Sequence, residues 1–133
     1  MWNSVKETKP AFQVATVLPN ANIGPIIKPD GEDSSSTSSW VLRLFHGDAD
    51  SFDDFPPQWH VDVRDNARLH VIALTDPECN GKRLFAFAEP FNRTDVLNVF
   101  RKLFPEKRFP DDKPVGKDLS QIPNEDAEAL LKK

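Results

Sequence analysis

The chain of 133 residues contains no tyrosine, one cysteine, one methionine (the first residue) and five glycines. Without tyrosine, no mechanism that needs a phenol as general acid is complete within this chain. The glycines stand at 24, 31, 47, 81 and 116. None are close enough together for a phosphate-cradling G-x-G-x-x-G turn or a P-loop, in which neighbouring glycines let backbone approach phosphate. A lone Cys79 forms no internal disulfide, which fits a reducing compartment and makes the cytoplasm the expected location. No apolar run approaches ~20 residues, so no membrane-spanning helix is expected. The first residues, Met1-Trp2-Asn3-Ser4-Val5-Lys6-Glu7, read as neither a signal nor a transit peptide. With a net charge of −4 and no Lys/Arg cluster to displace counterions, a nucleic-acid partner is not expected.

Apolar residues make up 38% and charged residues 29%, leaner in apolar residues than an average domain, so the core is small. The length allows one modest domain. Twelve prolines against five glycines indicate long ordered loops rather than flexible linkers.

Residues 1–8 read as a helix ending before Lys9-Pro10, because the residue before proline is pushed out of the α region. Residues 11–18 are β-rich, with Phe12, Val14 and Leu18 on one face and Ala11, Ala15 and Val17 on the other. A strand covered on both faces belongs to a parallel sheet, and Pro19-Asn20 ends it. Residues 19–35 read as an ordered loop with turns at Gly24-Pro25 and Pro29-Asp30-Gly31. The serine-rich stretch that follows is either a flexible link or the start of a helix capped near residues 36–37. That helix would carry Trp40, Val41, Leu44 and Phe45 as its apolar stripe, with Gly47 past its end. An acidic loop leads to a short strand, Trp59-His60-Val61. Asp62 then caps a helix with Asp65 in its first turn and with Val63, Ala67, His70, Val71 and Leu74 at helical spacing. Leu84-Phe85-Ala86-Phe87-Ala88 is a second strand, apolar on both faces. Thr94 caps a helix carrying Val96, Val99, Phe100 and Leu103; after a proline-rich loop Asn124 caps the last helix. Two strands alone make a marginal sheet, so the pattern reads as the latter part of a larger α/β domain.

Several segments carry a resemblance. Val17-Leu18-Pro19-Asn20-Ala21-Asn22-Ile23-Gly24-Pro25 resembles the P-x-x-x-x-G-P loop of extended short-chain dehydrogenase/reductases. Trp59-His60-Val61-Asp62-Val63-Arg64-Asp65-Asn66-Ala67-Arg68-Leu69-His70 resembles their V-D-V-R-D-x-A-x-x-H segment, and the strand and helices from Leu84 onward fit in order. The chain is similar to the C-terminal part of this NAD-dependent epimerase/dehydratase superfamily, in particular to fungal aldehyde and ketone reductases and dihydroflavonol reductases. The resemblance implies an α/β fold: the C-terminal portion of a Rossmann-type domain with its substrate lobe, lacking the first βαβ units. It also implies a single truncated domain over 1–133. Within it, 1–25 are the last of the Rossmann core and the nicotinamide-side loop, 26–83 substrate-lobe elements and a helix, and 84–133 the last core strand, helices and tail. The family's glycine fingerprint, catalytic serine or threonine and Tyr-x-x-x-Lys pair would precede Met1. Lys6 and Lys9 cannot stand in for that lysine, having no tyrosine four residues before them.

By the same resemblance, Pro19, Asn20, Ala21 and Asn22 line the nicotinamide side of an NADP or NAD cofactor, and Ser36 and Thr37 lie near its phosphates or ribose. The residues alone would equally describe a strand-to-loop turn and a helix cap. No residue of this chain is assigned a catalytic role and none a metal. Asp62 and Asp65 read as helix-capping groups with Arg64 and Arg68 as partners rather than as an acid/base pair, and His46, His60 and His70 are too scattered for a metal motif. His70 is expected in the core, and Cys79 in an exposed turn without a nucleophilic role. His60 and Asn66 depart from the family, which tends to have an aromatic and an apolar residue there. Trp40, Phe45, Phe52, Phe55 and Trp59 suit either a pocket wall or core, with core the expectation for Trp40 and Phe45. Two functions remain open. One is a portion of a carbonyl reductase acting on a small-molecule aldehyde or ketone and inactive alone. The other is a non-catalytic partner of an intact reductase or of a separately encoded N-terminal half, or else a truncated gene product.

Overall fold

The computed structural model describes residues 2–26 and 36–133. The turn expected at Pro29-Asp30-Gly31 and the first serines of the Ser-rich stretch lie outside the described residues. Helix α1 (Trp2–Thr8) ends at Lys9, whose φ of 43° breaks the helix ahead of Pro10. Strand β1 (Thr16–Pro19) pairs in parallel with β4 (Arg83–Ala86), Val17 opposite Leu84. A second sheet runs in the order β2 (Ala21–Ile23), β3 (Gln58–Asp62), β5 (Glu89–Phe91), the first pair parallel and the second antiparallel. Helix α3 (Val63–Thr75) follows β3 and packs against β1 and β4 as their crossover.

Two small cores result. Val61, Leu69, Cys79, Leu84, Ala86, Ala127 and Leu130 form one, where α3 and α5 (Glu125–Leu131) cover one face of the β1–β4 pair. Ala21, Leu44, Phe52, Phe91 and Leu97 form the other, beneath α2 (Ser36–Phe45) and α4 (Arg93–Leu103). Helix α2 closes with a Schellman turn: Asp48 N–H donates to the Arg43 carbonyl at 3.0 Å and Gly47 N–H to that of Leu44 at 3.1 Å, with Gly47 at φ 97°. The helical reading of the serine stretch therefore holds from Ser36 onward.

The first strand is shorter than the sequence predicts. Gly81 N–H reaches the Val14 carbonyl and Thr16 N–H the Lys82 carbonyl, after which the partner chain turns away. Residues 11–13 lack a ladder partner, and Phe12 is 65% exposed. Two short strands lie where the sequence predicts no strand: β2 within the stretch read as loop, and β5 between the strand ending at Ala88 and the helix expected from Thr94. In α3 the expected stripe has helical spacing but the opposite orientation. Val71 is 62% and Leu74 87% exposed, and His70 is exposed rather than in the core. The covered side is Leu69 with Ile72 and Ala73. Apolar residues occur around most of this helix, as suits a helix covered on several sides, and the chain supplies cover on one. In α4, Val99 and Leu103 are likewise exposed and Leu97 is buried. Its cap is Asn92 rather than Thr94, because only Asn92 forms a reciprocal capping box with Asp95. Asn124 stands at the cap position of α5 but spends its amide on the Phe87 carbonyl at 2.7 Å. Cys79 is fully buried, since the short 3-10 turn Pro77–Cys79 folds its thiol into the first core.

The accessible surface is 9352 Å², against roughly 7000 Å² for a compact monomer of this mass. Among the described elements β1 pairs only with β4, leaving its other edge open, and Val71 and Leu74 of α3 are exposed.

Candidate functional site

The site starts where β1 ends. Backbone at the carboxyl end of a parallel strand points into the crevice where ligands bind in open α/β sheets. Pro19 and Asn20 sit there exposed. Ala21 is 1% exposed and belongs to the second core, so it supports the loop from beneath.

Asn22 is the hub of the loop. Its Nδ2 donates to the Asn20 carbonyl at 3.1 Å, which folds the turn back on itself. Its Oδ1 accepts from Asn66 Nδ2 at 2.7 Å, and its carbonyl accepts from Thr37 Oγ1 at 2.7 Å. The loop is thus tied to the second turn of α3 and the first turn of α2. Gly24 follows in a tight approach: a Cβ there would meet Val63 Cγ2 at 2.6 Å, so only glycine lets the loop lie against the start of α3.

The expected site residues therefore divide. Pro19 and Asn20 present a free shelf. Asn22 and Thr37 are joined to each other, 15 positions apart in sequence. Ser36 opens α2, but its side chain lies outside the described residues. Sequence reasoning missed the partnership of Asn66 with Asn22. The signal was the polar residue itself, since a half-buried amide on a packed helix needs a partner.

Asp62 and Asp65 act locally. Asp62 Oδ1 accepts from Arg64 N–H at 2.8 Å and from its Nε at 2.9 Å, while Oδ2 accepts from Nη2 at 2.6 Å. The Arg64 guanidinium, then its backbone N–H, holds the Asp62 carboxyl down to about 2 from an ordinary 3.8. Asp65 meets Arg68 at 3.4 Å. Burial pushes the Cys79 thiol up, with Asp76 adding to it, which suits an inert core sulfur. Among the described residues no three His, Cys, Asp or Glu side chains gather into a metal-binding group, and no helix is long and apolar enough to cross a membrane.

Beyond Ile23 the loop borders a groove of about 600 Å³ between the second sheet and α4, with Val41, Phe91, Val96 and Val99 among its walls. His60 lines it, its Nδ1 at 2.9 Å from the Glu89 carbonyl and its ring edge-on to Phe91. Of the aromatics considered as pocket wall, Trp40 stacks on Phe55 at 3.6 Å. Phe45 joins Phe100, Phe104 and Phe109 in a packed cluster.

No family profile matches the chain. Individual proteins do. An aldehyde reductase 2 of Sporidiobolus salmonicolor is 38% identical over 133 residues, covering 98% of this chain and 38% of that protein. An NAD-dependent epimerase/dehydratase, terH, of Aspergillus terreus is 42% identical over 116 residues, covering 86% of this chain and 34% of that one. The crystal structure of yeast methylglyoxal/isovaleraldehyde reductase Gre2 with NADPH superposes at a TM-score of 0.73 and 25% identity, over 98% of this chain and 44% of that one. The chain thus spans about two fifths of the length of the proteins it matches. Nearly its whole length aligns, and its parallel β1–β4 pair with an open edge is what part of a larger Rossmann sheet looks like. Along nearly its whole length the chain is similar to the C-terminal part of extended short-chain dehydrogenase/reductases of the NAD-dependent epimerase/dehydratase type.

Proposed function

We propose that this chain furnishes the nicotinamide-side loop and much of the substrate lobe of an NAD(P)-dependent reductase that converts an aldehyde or ketone to an alcohol. The observation that carries this is the exposed Pro19–Asn20 shelf at the carboxyl end of β1, held by the Asn22 hub. In this reading Pro19 and Asn20 touch the cofactor, Ala21 supports them, and Asn22 and Thr37 position them, with Ser36 beside Thr37 at the start of α2. Bound NADPH or NADH supplies the hydride. The groove beyond Ile23, apolar along most of its walls, suits a small carbonyl compound with an apolar body. The chain contributes binding and orientation only. It has no tyrosine, so no phenol donates a proton to the substrate oxygen, and no closely spaced glycines cradle a pyrophosphate. The purified chain, assayed for NADPH and NADH consumption with a panel of aldehydes and ketones, is expected to show no turnover. Sustained turnover overturns the reading.

A second reading rests on the open edge of β1 and the exposed Val71 and Leu74 of α3. Such a surface suits a non-catalytic chain that docks onto an intact reductase or onto a separately made N-terminal half. A monomeric, fully folded chain in size-exclusion chromatography counts against it. In both readings the protein is cytoplasmic. A reading frame upstream of Met1 encoding Tyr-x-x-x-Lys would mark the chain as a truncated gene product.

A further inference from the structure

We propose that the cavity at the start of α4 is a binding site for a small organic carboxylate, with Arg93 as its charged contact. The cavity holds about 330 Å³, and Phe52, Phe55, Phe91, Pro57 and Pro114 wall it. Arg93 lines it as the first residue of α4 and is 3% exposed. Its Nη1 donates to the Asp111 carbonyl at 2.8 Å, while Nε and Nη2 are buried without an acceptor. These two nitrogens form the side edge of the guanidinium, the edge that grips a carboxylate with two parallel hydrogen bonds. A guanidinium stays charged at any physiological pH, and burying it unpaired is costly. The fold thus leaves unused the donor pair that a carboxylate fits.

The nearby acids do not fill that role. Asp50 and Asp53 both close on Lys113 Nζ, at 2.8 Å and 2.6 Å, and sit at the exposed rim. Asp95 is spent in the capping box with Asn92. The N-terminus of α4, an 11-residue helix, adds a positive dipole end on the same side. One hydrogen bond, to the Asp111 carbonyl, holds the guanidinium, and a bound carboxylate draws its side edge toward the cavity. The aromatic and proline walls then select the other half of the ligand. A compact apolar body suits them, and the volume lies at the small end of ligand sites.

The test is a titration of the ¹⁵N-labelled chain with benzoate and, separately, with benzamide, following the Arg93 Nε–H resonance and the fluorescence of Trp40, which stacks on Phe55. Benzoate is expected to shift Arg93 Nε–H saturably and to bind at least about tenfold tighter than its neutral isostere. Arg93→Met is expected to remove that preference. If that variant does not fold, Arg93→Lys keeps the charge without the fork and is expected to lose roughly tenfold. Equal binding of benzoate and benzamide overturns the proposal, as does an unmoved Arg93 Nε–H at about 10 mM benzoate, where even a millimolar site is mostly filled.

Discussion

Replacing Leu69 and Leu74 of α3 by alanine, one at a time, tests whether the exposed side of this helix is truly uncovered. Leu69 has no exposed surface and lies among Val61, Cys79 and Leu84. Truncating it removes buried methyl groups and leaves a cavity, which costs about 3–5 kcal/mol. Leu74 is 87% exposed. A fully buried leucine is worth about 1.5–3 kcal/mol, so the small covered part of Leu74 contributes about 0.3 kcal/mol. Alanine's slightly better helix propensity offsets most of that. The two variants share one helix and one type of substitution, so the gap between them, at least about 2 kcal/mol, reports cover alone. Urea unfolding with a common slope reads it as a shift in midpoint. If Leu74→Ala costs more than about 1.5 kcal/mol, the side chain is covered in solution and the open-face description of the fold is wrong. Repeating the measurement over a wide range of protein concentration then shows whether a second copy is the cover, because association makes stability concentration-dependent.

Three further outcomes follow from local geometry. Asp62 has a carboxyl held down to about 2, so its contribution is complete above the ordinary 3.8 and is lost as pH falls toward 2. Asp62→Asn keeps a capping side chain but flattens that acid limb in thermal melts between about pH 4 and 2, whereas Asp62→Ala also loses about 1 kcal/mol at neutral pH. Cys79, buried and with its thiol pushed up, is expected to react with an aromatic disulfide reagent only as fast as the chain opens, and rapid full labelling of the native protein contradicts its placement. Thr37→Val removes the donor to the Asn22 carbonyl and is expected to cost about 1 kcal/mol in urea unfolding, whereas no change would mean the loop is not anchored there.

What the sequence revealed and what it hid follow one physical division. Caps and stops depend on neighbouring residues. Asp62 at the start of α3, Gly47 past the end of α2 and the break before Pro10 are therefore legible and stand in the structure. The orientation of a helix depends on what lies across from it. In α3 apolar residues flank the Arg64, Arg68 and Thr75 stripe on both sides, so periodicity does not single out one covered face. Leu69 prevailed because β1 and β4 are the cover available. Strands β2 and β5 are three residues each, too short for alternation to register. The site divides in the same way. Pro19-Asn20 is recognisable from its loop motif, whereas the Asn22–Asn66 link spans 44 positions and is visible only once α3 is in place.

That link bears on how much of a site such a chain can hold ready. The shelf at Pro19 and Asn20 is set by Asn22, and Asn22 is fixed from three sides: by Thr37 of α2, by Asn66 of α3 and by the close seat of Gly24 on Val63. All of these anchors belong to this chain, and none requires a strand beyond the open edge of β1. The order of the loop and the completeness of the sheet are therefore separable properties. Preorganisation lowers the cost of binding because the groups are already fixed. A nucleotide-binding half joined to this chain would meet a loop already in shape, and what it would add is the proton donor and the pyrophosphate cradle. If the proposed function holds, substitutions at Thr37 or Asn66 are expected to change how well the loop is presented to a cofactor, and substitutions at Val71 or Leu74 how well a nucleotide-binding half docks.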